Sequence, residues 1–311
     1  MNIVYCGDKK MEDGLLLSTL SILNHTEDPL HIFVLTMRLS TETRNYNPIS
    51  SSFAEELKRL VKEKNPENQV TRVDLTETFS REMPYANLDT HFTPYCMLRL
   101  FADKIPIPPQ SAAACPTSFL DRILYLDADV ICRRDFSDFY HQDLSGYEIA
   151  GVPDHYGRWL YSRDIRRMDY LNSGVLLLNM EAIKKTRLME KCRELCADKQ
   201  MFLPDQTALN RLCSSKKKLP RRFNEQRKLK ENTVFQHFTT SFRILPWLHT
   251  VTVKPWEVEK MHSKLKLHEY DSLLETFTQI SETRKKQNQQ KEDQVETDEQ
   301  GKRIDTNFLY H

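Results

Sequence analysis

Asp121-Arg-Ile-Leu-Tyr-Leu-Asp-Ala-Asp-Val-Ile-Cys132 constrains this chain more than any other stretch. Residues 123–126 form an apolar run of strand-forming side chains, short enough for one buried strand of an α/β sheet. Asp127 and Asp129 follow at once, with only Ala128 between them. In extended backbone, residues two apart face the same side, so both carboxylates point at one place. Two carboxylates ending a buried strand are costly unless something positive compensates them. A divalent cation does this. Hard oxygen ligands suit Mg²⁺ or Mn²⁺, ions that also take phosphate oxygens from a bound substrate. A bare Asp-X-Asp is more often a solvated turn. The preceding strand shifts the balance, because ligands of open α/β sheets bind at the carboxyl ends of strands.

The rest of the composition narrows the function classes. The chain has 311 residues, enough for one large domain or two small ones, and a formal charge of +1, which argues against wholesale nucleic-acid binding. No run approaches a transmembrane span. The start, Met1-Asn-Ile-Val-Tyr-Cys6, reads as a strand and not as a signal peptide. The expectation is a cytoplasmic protein without a transmembrane segment. Trp247, Trp256 and nearby basic residues offer a peripheral contact with the inner face of the membrane, with core packing as the competing reading. Cys6, Cys96, Cys115, Cys132, Cys192, Cys196 and Cys213 are scattered and read as free thiols. Cys192 and Cys196 fall on one helix face, and no histidine or cysteine spacing supports a zinc site.

Taken in order, residues 3–5 predict a strand, 15–23 a helix with Asp13 as cap, 30–35 a strand, 52–64 an amphipathic helix and 69–75 a strand. This β-α-β-α-β opening predicts a doubly wound, mainly parallel sheet, the kind of half-domain that receives a nucleotide at its strand ends. Residues 92–102 predict a helix carrying Arg99, and 105–118 a Pro-rich loop. A strand follows at 148–152, and then a polar segment at 154–169, read either as a mobile loop or short helix over the site or as a plain exposed loop. Residues 175–178 predict a strand with Asn172-Ser173-Gly174 at its entrance, where Gly174 permits close backbone approach to a ligand. Helices are expected at 181–197 and 205–212, a basic solvated face at 216–222, and a strand ending in His237 at 233–237. In domain terms, the expectation is a catalytic unit over residues 1–254, a helical extension over 255–280 and, for its lack of apolar residues, a flexible tail over 281–311, either disordered or loosely helical.

Six stretches in this order resemble the family 8 retaining glycosyltransferases, the group of glycogenin and the lipooligosaccharide glucosyl- and galactosyltransferases. They are Ile3-Val-Tyr-Cys-Gly-Asp8, Pro94-Tyr-Cys-Met-Leu-Arg-Leu100, Arg122-Ile-Leu-Tyr-Leu-Asp-Ala-Asp129, Tyr170-Leu-Asn-Ser-Gly-Val-Leu-Leu-Leu-Asn179, Pro204-Asp-Gln-Thr-Ala-Leu-Asn210 and His237-Phe238. The resemblance implies a GT-A fold, Rossmann-like, with a small C-terminal helical extension. It implies transfer of glucose or galactose, with retention, from UDP-glucose or UDP-galactose to a glycan, glycolipid or glycoprotein. Asp127, Asp129 and His237 would hold Mn²⁺ (or Mg²⁺), which neutralises the departing UDP. Asp8 would accept the uracil N–H, with the backbone of Tyr5, Cys6 and Gly7 framing the base. Arg99 would contact donor sugar or phosphates, Asn172 and Asp205 the sugar hydroxyls, and Gln206 would sit beneath the anomeric carbon. Gln206 is a poor nucleophile, so a same-face substitution is preferred, with Asp205 as the covalent alternative.

The chain departs from the family in one respect. A Lys-Pro-Trp that usually follows the metal histidine closely comes late here, as Lys254-Pro-Trp256. Either an inserted segment loops out and Lys254 returns to the diphosphate, or Arg243 takes that role. The rival functions are a metal-dependent nucleotidyltransferase or phosphohydrolase, and a non-catalytic sugar-nucleotide binding protein. The first lacks a Gly-rich phosphate loop. The second sits poorly with Asp127, Asp129, His237 and Gln206 all present.

Overall fold

The structure, a computed structural model, describes residues 1–88, 93–106, 120–155, 169–243 and 249–307. Strand β1 (Asn2–Cys6) is followed by helix α1 (Glu12–Leu23), strand β2 (His31–Thr36) and a small hairpin of β3 (Leu39–Ser40) and β4 (Asn45–Tyr46). Helix α2 (Ser51–Lys64) leads to β5 (Gln69–Asp74) and helix α3 (Thr76–Arg81). The Ser50 side chain caps α2 by accepting from the Phe53 N–H at 3.2 Å, as a short hydroxyl side chain before a helix is suited to do. Asp13 does not cap α1. It is the helix's second residue, paired with Arg284 and Ser281 of the C-terminal helix.

Later come β6 (Arg122–Leu126), β7 (Val130–Cys132), β8 (Ile149–Pro153), β9 (Leu171–Asn179), β10 (Lys216–Lys218), β11 (Phe235–His237), β12 (Ser241–Arg243) and β13 (His249–Val251). Seven strands make one sheet in the order β10-β8-β9-β6-β1-β2-β5. Every neighbouring pair is parallel except those of β9, which runs antiparallel to both β6 and β8. Alternation along the central strands divides the core into two layers. Ile3, Tyr5, Ile32 and Val34 pack with Leu15, Phe53 and Leu57 of α1 and α2. Val4, Cys6, Phe33 and Leu35 pack on the opposite face with Leu98 and Phe101 of the 3-10 helix Pro94–Lys104 and with Leu188, Cys192 and Cys196. The last two do share a buried helix face, without a disulfide.

Three local expectations change. Residues 172–174 lie inside β9 and not before it, because Leu171 pairs with Pro153 across a register shift in β8. The expected helix 181–197 is two helices, Met180–Thr186 and Leu188–Asp198, broken where Arg187 takes a φ of 56°. The helical region expected at 255–280 is a pair of short turns, Val258–Lys260 and Met261–Leu265, and then a reversal at Lys266. A long helix, Asp271–Asn307, follows and extends through most of the segment that composition assigns to a tail. Its first turns are not peripheral: Tyr270, Leu274 and Phe277 are buried in the same layer as Leu15 and Phe53. Most of the Pro-rich loop and of the polar loop 154–169, as well as Trp247, lie outside the described residues.

Candidate active site

The parallel pairing of β1 with β6 brings the carboxyl ends of both strands to the same edge of the sheet. Asp8 leaves from one and Asp127 from its neighbour. Beyond β6 the chain turns through Asp127–Val130, closed by the Val130 N–H on the Asp127 carbonyl at 3.2 Å. It then enters β7, whose antiparallel partner is β11, with His237 opposite Val130. This pairing is what carries the distant imidazole to the two carboxylates. His237 Nε2 stands 3.5 Å from Asp127 Oδ2 and 3.2 Å from Asp129 Oδ1. One ligand atom from each of the three residues lies within 4.8 Å of the others.

The tautomer of that imidazole follows from its other nitrogen. His237 Nδ1 faces Asn172 Oδ1 at 3.2 Å, an amide oxygen that can only accept. Nδ1 therefore carries a proton, and the bond to Asn172 fixes the ring with Nε2 aimed at the carboxylates. Asn172 is itself fixed. Its Oδ1 also accepts from the Gly174 N–H at 3.0 Å and from Asn224 Nδ2 at 2.9 Å, and its Nδ2 donates to Asp154 Oδ2 at 2.8 Å. Gly174 stands directly beneath the cluster. A Cβ there would lie 2.6 Å from Asp127 Oδ2 and 2.7 Å from His237 Nδ1, so no other residue leaves this floor open.

Two cations meet the carboxylates. Arg99, buried on the 3-10 helix, donates through Nη2 to Asp127 Oδ1 at 2.8 Å and lies 3.1 Å from Asp205 Oδ2 through Nε. Its guanidinium stacks over the Tyr125 ring at 4.4 Å, and the Tyr125 hydroxyl donates to Asp127 Oδ1 at 2.7 Å. Lys254 Nζ reaches Asp129 Oδ2 at 2.5 Å. Burial opposes ionisation of Asp129, but Lys254 and His237 outweigh it and hold the carboxyl well below the usual range. Lys254 shows the converse: burial would lower its pKa, but Asp129 raises it. The late Lys-Pro-Trp is thus explained by a hairpin of β12 and β13 that loops out between His237 and Lys254. Arg243 lies on β12 of that hairpin. Trp256 is seated against α1, where a Cβ on Gly14 would come within 2.5 Å of the indole and 2.8 Å of the Ala128 carbonyl.

The helix Pro204–Leu212 supplies the remaining wall. The Ser173 hydroxyl donates to Asp205 Oδ2 at 3.0 Å, and the Ser173 N–H donates to Gln206 Oε1 at 2.9 Å. Both Asp205 and Gln206 are buried, as is Asp154. At the neighbouring strand end, Asp8 is buried and Oδ1 accepts from the Lys10 N–H at 3.0 Å; burial raises its pKa. The backbone of Tyr5, Cys6 and Gly7 is tied into β2, with the Gly7 N–H on the Leu35 carbonyl at 3.1 Å. Residues 127, 129, 237, 254, 99, 172, 205 and 206 are thus linked through direct side-chain contacts. Sequence reasoning missed Tyr125, Asp154 and Asn224. Tyr125 was within reach, since alternation sets it on the same side as Asp127; Asp154 and Asn224 are joined to Asn172 only by tertiary packing.

A divalent cation fits this donor set. Among the described residues, Arg99 and Lys254 are the arginine and lysine that meet the carboxylates of Asp127, Asp129 and Asp205, an excess of acidic groups that such an ion would offset. The carboxylates of Asp127 and Asp129 and an imidazole held in a fixed orientation complete the match.

The family model described as Glycosyl transferase family 8 matches residues 113–260. A lipopolysaccharide 1,2-glucosyltransferase of Escherichia coli K12 is 30% identical over 166 residues, 48% of this chain and 48% of that protein. Glycosyltransferase GlyF of Streptococcus pneumoniae is 33% identical over 92 residues, 29% of this chain and 22% of that protein. The chain thus spans about half or less of the length of these relatives. Among solved structures, the galactosyltransferase LgtC, in complex with donor and acceptor sugar analogs, superposes with a TM-score of 0.57. Identity is 16%, covering 89% of this chain and 96% of that one. Apo GlyE of Streptococcus pneumoniae superposes with a TM-score of 0.56 at 17% identity, covering 90% of this chain and 63% of that one. The sheet is that of the GT-A fold, and the stretch similar to glycosyl transferase family 8 runs through both aspartates and His237.

Proposed function

We propose that this chain is a metal-dependent retaining hexosyltransferase, moving glucose or galactose from a UDP-sugar to a hydroxyl of a glycan, glycolipid or glycoprotein. The observation that carries the reading is the convergence of Asp127, Asp129 and His237 above Gly174, with a lysine on one side and the Asp205-Gln206 wall on the other. Mn²⁺ held by those three residues would neutralise charge on the departing diphosphate. Lys254, now on Asp129, turns to a phosphate oxygen as the donor arrives. Asp8 accepts the uracil N–H through the carboxylate oxygen that does not cap its own turn, while residues 5–7 frame the base. Asn172 keeps the His237 lone pair aimed at the ion, a positioning role.

Asp205 is in an ion pair with Arg99 and accepts from Ser173, interactions that stabilise the carboxylate and lower its nucleophilicity. Gln206 presents an amide. Both features favour same-face substitution, in which the acceptor hydroxyl attacks from the side that UDP leaves and the departing phosphate helps take its proton. The catalytic unit is residues 1–254, working in the cytoplasm. Following UDP release from a panel of UDP-hexoses, with and without EDTA, tests the reading. Release that requires metal and selects UDP-glucose or UDP-galactose supports it; no release from any UDP-hexose, or release indifferent to chelation, overturns it.

A further inference from the structure

A second group of metal-ligating side chains sits where the C-terminal helix begins, and it shares no residue with the site above. The turn Met261–Leu265 carries His262, and Lys266, with a φ of 55°, reverses the chain. His268 thereby comes back over His262, the two rings 4.7 Å apart between centroids and inclined by only 16°. Asp271 opens the long helix and meets both. Its Oδ1 lies 2.7 Å from His262 Nε2, and its Oδ2 lies 3.2 Å from His268 Nδ1. One ligand atom from each of the three falls within 4.8 Å of the other two.

Each element of this arrangement points to an ion. Stacking two imidazoles on a single carboxylate brings three ligand atoms together that an ordinary surface would leave to separate rotamers. Two imidazoles and one carboxylate form a donor set for borderline transition metals, above all Zn²⁺, with a fourth position left for water. Mg²⁺ and Mn²⁺ prefer the oxygen-rich cluster at Asp127 and Asp129. The ligands lie close in sequence, so holding them together costs little closure entropy. All three are partly or fully exposed, which leaves an entry path from solvent.

We propose that His262, His268 and Asp271 form a second metal site for Zn²⁺ or a closely similar ion, separate from the sugar-nucleotide site. Protons between each imidazole and the carboxylate leave as the metal enters. The ion staples the turn Met261–Leu265 to the start of the long helix. Tyr270, next to Asp271, donates to Gln236 Oε1 at 2.5 Å and packs edge-on to Phe238, the two residues that flank His237. The staple therefore secures the element that supports the catalytic histidine's strand.

The test uses the full chain, stripped with chelator, exposed to micromolar Zn²⁺ in excess Mn²⁺, dialysed against Mn²⁺ and assayed for metal content. One equivalent of zinc is expected per chain. It should persist in Asp129→Asn and vanish in the His262→Ala, His268→Ala double variant, with affinity falling by at least about 100-fold, beyond what loss of an outer partner causes. Asp271→Asn provides the second arm: it should fold as the parent does and lose the zinc-dependent rise in Tm, while His268→Cys should keep it. Zinc retained in the double variant, zinc lost in Asp129→Asn, or no zinc bound at micromolar concentration would each overturn the proposal.

Discussion

Two clusters of three residues that could each hold a metal ion are built in opposite ways in this chain. Asp127, Asp129 and His237 come from a strand end and a distant strand, and each is held by further groups: Tyr125 and Arg99 on Asp127, Lys254 on Asp129, Asn172 on His237. His262, His268 and Asp271 come from one short stretch at the surface and hold mainly each other. The difference is one of preorganisation. The inner cluster keeps its geometry through buried, low-dielectric contacts that are costly to break. The outer one is inexpensive to assemble and equally easy to lose. Chemistry that depends on sub-ångström placement of a leaving group belongs with the first kind, and a structural staple with the second.

Breaking the inner cluster should therefore have the larger consequences. Asp129→Asn removes a ligand and strands Lys254, and steady-state UDP release should fall by roughly 1000-fold, about 4 kcal/mol of lost charge stabilisation. Activity within tenfold of the parent would remove Asp129 from the machinery. Gly174→Ala drives a methyl group toward Asp127 and His237 and should cost on the order of 100-fold in turnover, the expected result of a misplacement near 1 Å; a crystal structure of the variant would show whether the imidazole is displaced.

Asn172→Ala sharpens the comparison, since it leaves Asp127, Asp129 and His237 in place while removing the partner of His237 Nδ1, along with the bonds to Asp154, Asn224 and the Gly174 N–H. Mn²⁺ affinity should drop by about 10- to 100-fold, read as a rise in the Mn²⁺ concentration for half-maximal turnover with kcat changed much less. Gly14→Ala pushes Trp256 off α1 near the Ala128 carbonyl, and denaturant unfolding should register an overpacking loss of about 1–3 kcal/mol. Smallest is Tyr270→Phe, which deletes the hydrogen bond between the outer cluster's helix and Gln236. A stability loss of roughly 1 kcal/mol is expected, with turnover at saturating metal unchanged. An equal loss of turnover would mean that the two clusters are coupled more tightly than their separate construction implies.

Much of this molecule is legible locally. The apolar runs of β1, β2 and β6 and the 3.6-residue pattern of α2 specify strands and helix because burial must follow the period of the backbone. Asp127 and Asp129 are recognisable because they follow such a run directly. The break at Arg187 and the reversal at Lys266 are not. Both are non-glycine residues at positive φ, chosen by the packing on either side and not by their own preference. The outer cluster escaped notice for the same reason: His262 and His268 match no metal spacing unless the chain folds back between them.

The sequence by itself determined the two-layered α/β core, the strand that ends in paired carboxylates and the set of polar residues available at the strand ends. These rest on interactions between near neighbours, which a linear pattern records. Tertiary structure alone decided that β11 pairs with β7 and delivers His237, that a hairpin loops out so Lys254 can return to Asp129, and that Asn172 gives its side chain to the histidine. Those contacts join residues far apart in the chain, and only the energy of closing the whole core selects them.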